Sequence, residues 1–281
     1  MVLGFPSYCP GEATFCGHET LLRHAGSPLM VDKSEIADAV MSLSAKRRAA
    51  LIEQLARIPI EVTTPRGTLK MVGHGHGSYR RAKTLLTKEP HTIAWIDSIP
   101  AESRFWDIGA NVGTFSLYAA QRGDMSILAF EPSAVNFHLL TANMQLNGFS
   151  VLCFPFGFSD RTMIGSLECD AFCAGGAFSF TGKRAAPRPH QTSLTWRIDD
   201  FVATYGVPPP HYVKIDVHGL TTAIIAGAQE TLRSVIQLQI ETKETGRGAT
   251  VVALLENAGF KIARRYPRDD GKGGDILFTR Q

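Results

Sequence analysis

No run of apolar residues in this chain approaches the ~18 that a membrane-spanning helix needs, so none is expected. The N-terminus lacks a basic start followed by an apolar stretch, and no signal peptide is expected either. Cysteine is sparse: Cys9, Cys16, Cys153, Cys169 and Cys173 form no C-x-x-C pair. An odd number of thiols in a chain of 281 residues reads as reduced cysteine in a cytosolic protein. Cys169 and Cys173 are two thiols without matched partners, a poor metal site. The net charge of +3 is too weak to mark a phosphate-tracking surface. Two glycine fingerprints are also missing, the G-x-G-x-x-G of nicotinamide enzymes and the G-x-x-x-x-G-K-[ST] of phosphate loops. What remains is a chain with 44% apolar residues, enough for a large core in one domain or one domain plus an extension.

The stretch that organises the rest is Trp106-Asp107-Ile108-Gly109-Ala110-Asn111-Val112-Gly113. A strand-like run, Arg104 to Ile108, enters it, and a helix-like run, Thr114 to Gln121, leaves it. Such a turn is expected to aim unpaired backbone N–H groups at one spot. Gly109 and Gly113 are expected to let a ligand approach the backbone, since no Cβ stands in the way. Asp107 would repel a pyrophosphate and suits a ligand rich in amine and hydroxyl donors. A second acid, Glu131, ends the next strand-like run, Ser126 to Phe130. In a βαβ unit that position faces ribose hydroxyls. S-adenosylmethionine, with an ammonium, a ribose and no phosphate, fits both acids; the alternative is an α/β turn with no nucleotide.

Along the chain, Met1 to Met30 reads as an irregular arm. Asp32 and Glu35 make a capping pair for a helix carrying Ile36, Val40, Leu43, Leu51 and Leu55, with Lys46, Arg47 and Arg48 on a solvated face. Ile60–Val62 and Thr68–Val72 flank Pro65-Arg66-Gly67 as a hairpin. His74 and His76 sit between glycines and read as a mobile loop at the mouth of a site. Helices are expected at Tyr79–Lys88 and Thr92–Ile99. Residues 1–100 thus form an N-terminal, mostly helical extension or cap.

From Arg104 strands and helices alternate, which implies a mostly parallel sheet covered on both faces. Its strands are Arg104–Ile108, Ser126–Phe130, Val151–Phe154, Tyr212–Val217, Val235–Glu241, Phe260–Tyr266 and Ile276–Thr279. Helices fall at Ala134–Leu146, Ile198–Tyr205, Leu220–Leu232 and Thr250–Ala258. The last two strands have no helix between them, only the turn Asp269-Asp270-Gly271, so the final strand should run antiparallel. Before a strand-like run at Thr192 to Trp196, Arg161 to Gln191 has no clear period and reads as part of a substrate wall, with a small hairpin insertion as the other reading. Within it, Lys183, Arg184 and Arg188 read as a solvated loop or as contacts to an anionic substrate.

These motifs together resemble one family. Trp106 to Gly113, then Phe130-Glu131-Pro132-Ser133, then Lys214-Ile215-Asp216-Val217-His218-Gly219 are similar to the FkbM family of S-adenosylmethionine-dependent methyltransferases. Leu85-Leu86-Thr87-Lys88-Glu89-Pro90 with Trp95-Ile96-Asp97 resembles a lead-in found in a subset of it. The resemblance, over residues 80 to 281, implies an α/β fold with a seven-stranded Rossmann-like sheet, six strands parallel and the last antiparallel, in residues 101–281. It implies O-methylation of a hydroxyl on a sugar, glycolipid or natural product, with S-adenosylmethionine as cofactor. By family position Asp107, Gly109, Asn111 and Gly113 would hold the methionine end. Glu131 would hold the ribose, and Ser159 and Asp160 would lie beside the adenine.

One position departs from the family, where a Glu usually follows Asp-Val and this chain has His218. That puts a carboxylate-bound metal in doubt, and none is expected. Methyl transfer to oxygen is limited by the nucleophile, and a positioned base contributes about 10²–10⁴-fold. Ligands in such sheets sit at the carboxyl ends of the strands. His218 is therefore expected to be the base, with Asp216 orienting it or the substrate hydroxyl, or else His218 only lines the pocket. Lys214 reads as an outward-facing strand residue. Two other functions share the fold. A binding module without catalysis is favoured only by the His for Glu change. A nucleic-acid methyltransferase is disfavoured, because neither a Pro-Pro-aromatic motif after the fourth strand nor a Pro-Cys dipeptide is present.

Overall fold

The structure, a computed structural model, describes residues 33–168, 174–176, 179–181, 190–242, 246–268 and 273–281. The arm with Cys9 and Cys16, the cap Asp32, the thiols Cys169 and Cys173, the bases Lys183, Arg184 and Arg188 and the turn at 269–271 lie outside them. The chain divides into two compact units, residues 1–50 and 51–281.

At the start of the described residues the expected single helix is interrupted. Helix α1 spans Lys33–Ser42, and α2 spans Ala45–Ala56. Ser44 restarts the helix by accepting the amide of Arg47 at 3.4 Å. Arg48 donates to the carbonyls of Met41 and Leu43 at the break, so it is more than a solvated charge.

The larger unit opens with the expected hairpin, β1 (Pro59–Thr64) and β2 (Gly67–Val72), paired antiparallel. Helix α3 (Gly75–Lys83) follows, then α4 (Pro90–Ser98). His74 and His76 are therefore the cap and first turn of a helix and not a mobile loop. The sheet begins with β3 (Arg104–Ile108), α5 (Thr114–Ala120), β4 (Ser126–Phe130), α6 (Ala134–Asn147) and β5 (Leu152–Phe154). Ser133 caps α6 through the amide of Asn136, and Gly148 closes it in the left-handed region.

The stretch without a clear period, Arg161 to Gln191, instead contains β7 (Met163–Glu168) and β8 (Ser179–Thr181); β6 (Gly157–Ser159) precedes it, and β9 (His190–Arg197) covers the strand expected at Thr192–Trp196. They form a separate four-stranded sheet in the order β6-β9-β7-β8. Next come α7 (Ile198–Tyr205), β10 (Tyr212–Ile215) and α8 (Thr221–Ala226). The helix expected to reach Leu232 stops where Gly227, a poor helix former, caps it; a single 3-10 turn, Thr231–Ser234, follows. The remaining elements are β11 (Gln237–Thr242), α9 (Arg247–Asn257), β12 (Phe260–Pro267) and β13 (Gly274–Arg280).

The main sheet has the strand order β12-β13-β11-β10-β3-β4-β5. Six strands run one way, and β13 runs against both its neighbours. Each face buries its own core. Phe105, Ala129 and Tyr212 pack under Ile96, Leu117 and Leu140 on one side. Trp106, Ile108, Phe130 and Leu238 pack under Phe201, Ile224 and Leu255 on the other. The alternation of β3 explains this division, since successive side chains leave a strand on opposite faces. It also places Asp107 beside Lys214 and Lys214 beside Gln239, a buried polar row across three parallel strands. Among the described residues no helix is long and apolar enough to cross a membrane.

Candidate active site

A cavity of about 310 Å³ opens at the carboxyl ends of these strands. Gly109, Asn111, Glu131, Gly157 and Phe158 line one end of it. Asp216, His218, Glu241 and Arg268 line another part, and Arg81 and Lys88 reach it from the segment ahead of the sheet. Of the expected site residues, the cavity thus brings together Gly109, Asn111, Glu131, Asp216 and His218.

The turn itself works differently from the expectation. Its backbone N–H groups are all engaged within the chain. Gly109 and Ala110 donate to the carbonyl of Phe130, and Gly113 to that of Ala110. Asn111 donates to Glu131 Oε2 at 2.8 Å, and Val112 to Asn111 Oδ1 at 3.0 Å. Gly109 lines the cavity, yet neither glycine has open space on its Cβ side. A Cβ on Gly109 would lie 2.1 Å from the carbonyl oxygen of Asp216, and one on Gly113 would lie 2.6 Å from Leu140 Cδ1. Both residues also have φ near +85° (85° and 86°), where L side chains are strained. The glycines let the neighbouring strand-end and helix close on the turn.

Asp107 is 1% exposed and does not line the cavity. Its Oδ2 accepts the hydroxyl of Ser116 at 2.6 Å, and its Oδ1 is buried without a partner. Burial pushes its pKa up, against the pull of Lys214. Ser159 and Asp160 also lie off the cavity; Asp160 is bound by Ser159 and Arg161, and their neighbours Gly157 and Phe158 form the wall instead.

Glu131 is held by two backbone amides, those of Asn111 and Ser133 at 2.8 and 2.9 Å. It is 5% exposed and has no cation within ion-pair distance among the described residues. Burial raises its pKa to about 7, and those two amides only partly offset the effect.

Lys214 corrects an expectation. It is 2% exposed, not outward-facing, with Nζ 3.3 Å from Asp216 Oδ2 and 4.7 Å from the centre of the Phe115 ring. Burial alone would lower its pKa, but Asp216, Glu89 and Asp107 outweigh burial and raise it. Asp216 is drawn well below the usual carboxylate range, since Lys214 and a hydrogen bond from Glu241 overcome its burial. Glu241 moves the other way, up to about 7, through burial and the adjoining Asp216. His218 lines the cavity and is exposed, and among the described residues no hydrogen bond joins it to Asp216.

Oxygens of Glu89, Asp216 and Glu241 lie within 4.8 Å of one another, close enough to hold a metal ion. Each carboxylate already has a cation: Lys88 on Glu89 at 2.9 Å, Lys214 on Asp216 at 3.3 Å, Arg268 on Glu241 at 2.7 Å. Three ion pairs leave little net negative charge to draw a divalent cation. Sequence reasoning missed Glu241, although the rule that found Glu131, an acid ending a parallel strand, applies to it equally. Arg81 and Arg268 gave no local signal.

The methyltransferase FkbM domain model matches residues 107–262. The chain belongs to the FkbM methyltransferase family. With that family goes S-adenosylmethionine as methyl donor. The hexuronic acid methyltransferase AglP of Haloferax volcanii is 28% identical over 153 residues, 54% of this chain and 61% of that protein. This chain therefore spans less than two thirds of that relative. Methyltransferase sdnD of Sordaria araneosa is 24% identical, over 65% of this chain and 82% of that protein. A solved FkbM methyltransferase from Methylobacillus flagellatus KT superposes with a TM-score of 0.47 at 14% identity, covering 83% of this chain and 59% of that one.

The cavity's chemistry fits such a donor at Glu131. A buried carboxylate with no cation beside it is stabilised by added hydrogen-bond donors, and a ribose supplies two vicinal hydroxyls.

Proposed function

We propose that this methyltransferase carries a methyl group from S-adenosylmethionine to a hydroxyl of a sugar, glycolipid or natural-product acceptor. The observation that supports it is the row of titratable side chains, Asp216, His218 and Glu241, on the wall of the cavity that also holds Glu131. The donor supplies an electrophilic methyl with a good leaving group. What the protein must add is a bound, oriented and partly deprotonated hydroxyl.

Glu131 takes the ribose, and Asn111 shapes the turn beside it. Asp107, Gly109 and Gly113 fix the geometry of the methionine end by holding strand β3 and helix α5 in place. Ser159 and Asp160 position the Gly157-Phe158 wall on the adenine side. His218 takes the proton of the acceptor hydroxyl, as the exposed imidazole on the cavity wall. Asp216, held by Lys214, orients that hydroxyl. Residues 101–281 carry this chemistry, and the segment ahead of them contributes Arg81 and Lys88 to the wall as a cap. The name of AglP, a hexuronic acid methyltransferase, favours a sugar acceptor.

A methyl-labelled donor assay on glycans ending in neutral and uronic sugars tests the reading. Label is expected in a form that survives mild base, as an ether does. Label that leaves as methanol in base would mean transfer to a carboxylate, and transfer to none of the acceptors would remove the sugar reading.

A further inference from the structure

The methyl donor carries a carboxylate, and so do uronic sugars. A buried carboxylate needs a partner. In many nucleotide-binding turns backbone amides take the anion. Here the amides of residues 109–113 are all occupied within the chain. An anion beside this turn must therefore be met by a side chain.

Among the described residues, Arg81, Lys88 and Arg268 are the arginines and lysines that line the cavity. Lys88 is paired with Glu89, and Arg268 with Glu241. Arg81 has no carboxylate within ion-pair distance among the described residues. Its Nε donates to the carbonyl of Gly175 at 2.8 Å. A guanidinium has five N–H donors in a planar fork, so four remain beyond that bond.

The mounting of Arg81 is built for position. Helix α3 lies with its backbone against residues 174–176. A Cβ on Gly77 would stand 2.2 Å from the carbonyl oxygen of Ala174, and one on Gly175 would stand 2.7 Å from the carbonyl carbon of Gly77. Asn136 then fixes that segment from α6, accepting the amide of Gly175 at 2.8 Å and donating to the carbonyl of Gly176 at 3.1 Å. Asn111, on the turn, donates to the same Gly176 carbonyl at 2.8 Å. The segment whose Gly175 carbonyl anchors Arg81 is thus tied to the two elements that also hold Glu131. Around Arg81 the nearest acidic influences are Asp216, Glu131 and Glu89, which attract its charge from beyond pairing distance.

We infer that Arg81 is the carboxylate receptor of the cavity, pairing through its free fork with a carboxylate of the bound donor or of the acceptor. This rests on the methyl-donor reading above and adds the residue that reads the charged end of a ligand. An Arg–carboxylate fork combines charge with two parallel hydrogen bonds.

Calorimetric titration decides it in two arms, each on the wild type and on Arg81→Gln. The first compares S-adenosylmethionine with decarboxylated S-adenosylmethionine. The second compares D-glucuronate with D-glucose, on protein with and without S-adenosylhomocysteine. The wild type is expected to prefer the carboxylate-bearing member of one pair by about 10- to 100-fold, the worth of a hydrogen bond to a charged group. Arg81→Gln is expected to lose that preference and leave the other pair unchanged. The first arm collapsing assigns Arg81 to the donor; the second assigns it to the acceptor.

A wild type indifferent within both pairs overturns the inference without any variant. So do preferences that Arg81→Gln leaves intact. If Arg81→Gln does not fold, Arg81→Lys, which keeps charge but loses the fork, is read on the same preferences. A wild type that takes up no S-adenosylmethionine refutes the methyl-donor reading, and the second arm run without donor still decides the role of Arg81.

Discussion

Gly109 and Asp216 are in backbone contact: a Cβ on the first would stand 2.1 Å from the carbonyl oxygen of the second. The amide of Asp216 donates to the carbonyl of Ile108 at 2.9 Å, which locks the two strand ends together. Gly109→Ala must strain a backbone at φ 85° and also push the two strand ends apart. The expected cost is about 2–5 kcal/mol, the sum of left-handed strain and overpacking. Urea unfolding measures it, and a loss below about 1 kcal/mol would show that the contact relaxes freely.

Glu131 makes donor binding depend on pH. Its ligand-free pKa, near 7, is raised by burial, and ribose hydroxyls favour the charged form. Below that pH the carboxyl holds a proton that binding must release. Affinity for S-adenosylmethionine should therefore fall as pH drops from about 8 to about 6, by up to about tenfold per unit. Glu131→Gln should bind more weakly and lose this dependence. Calorimetry in buffers of different ionisation enthalpy reads the released proton directly; the same slope in the variant would place the titration elsewhere, for instance at Glu241.

Removing the buried cation should be costly. Lys214→Met leaves Asp216, Glu241 and Glu89 close together with one fewer positive charge among them. A broken buried pair costs about 3–5 kcal/mol. Without Lys214 the folded-state pKa of Asp216 rises. Stability of the variant should then be lost as pH rises and recover as pH falls, relative to wild type. Thermal unfolding across pH checks this, and a pH-independent deficit would mean that lost packing dominates.

His218→Gln should lower turnover more than about tenfold and leave donor affinity unchanged, as expected for a positioned base. Single-turnover transfer with a saturating donor separates the two effects. A smaller drop would reduce His218 to a wall residue and shift attention to Glu241, whose pKa is raised to about 7 by burial and the adjoining Asp216.

The parallel sheet was legible because β3 and β4 are short, apolar and bounded by glycine or acid; their limits fall where the sequence places them, Arg104–Ile108 and Ser126–Phe130. Of the second sheet only β9 was, as the strand-like run Thr192 to Trp196. In β9 Ser193 and Thr195 are buried while Leu194 is exposed, and in β7 Ile164 is exposed. The apolar alternation there points away from the buried face, so periodicity misleads about which side is covered. At the site, Glu131, Asp216 and His218 could be found as residues at the ends of predicted strands. Arg81 could not, since its place depends on Gly175, far away in the sequence. The close approach of Asp216 to Gly109 was hidden for a similar reason. A glycine that admits a ligand and one that admits a neighbouring strand look alike until the partner is known.

The family match covers residues 107–262, and three basic residues on the cavity wall fall outside it: Arg81 and Lys88 before it, Arg268 after it. The shared segment thus carries the cavity's carboxylates, Glu131, Asp216 and Glu241, while the described arginines and lysine that face them are written in flanking sequence. Relatives could keep one frame and diverge in selectivity by exchanging only those flanks. Chimeras that trade the flanks while sparing the middle would be the natural way to retarget the enzyme.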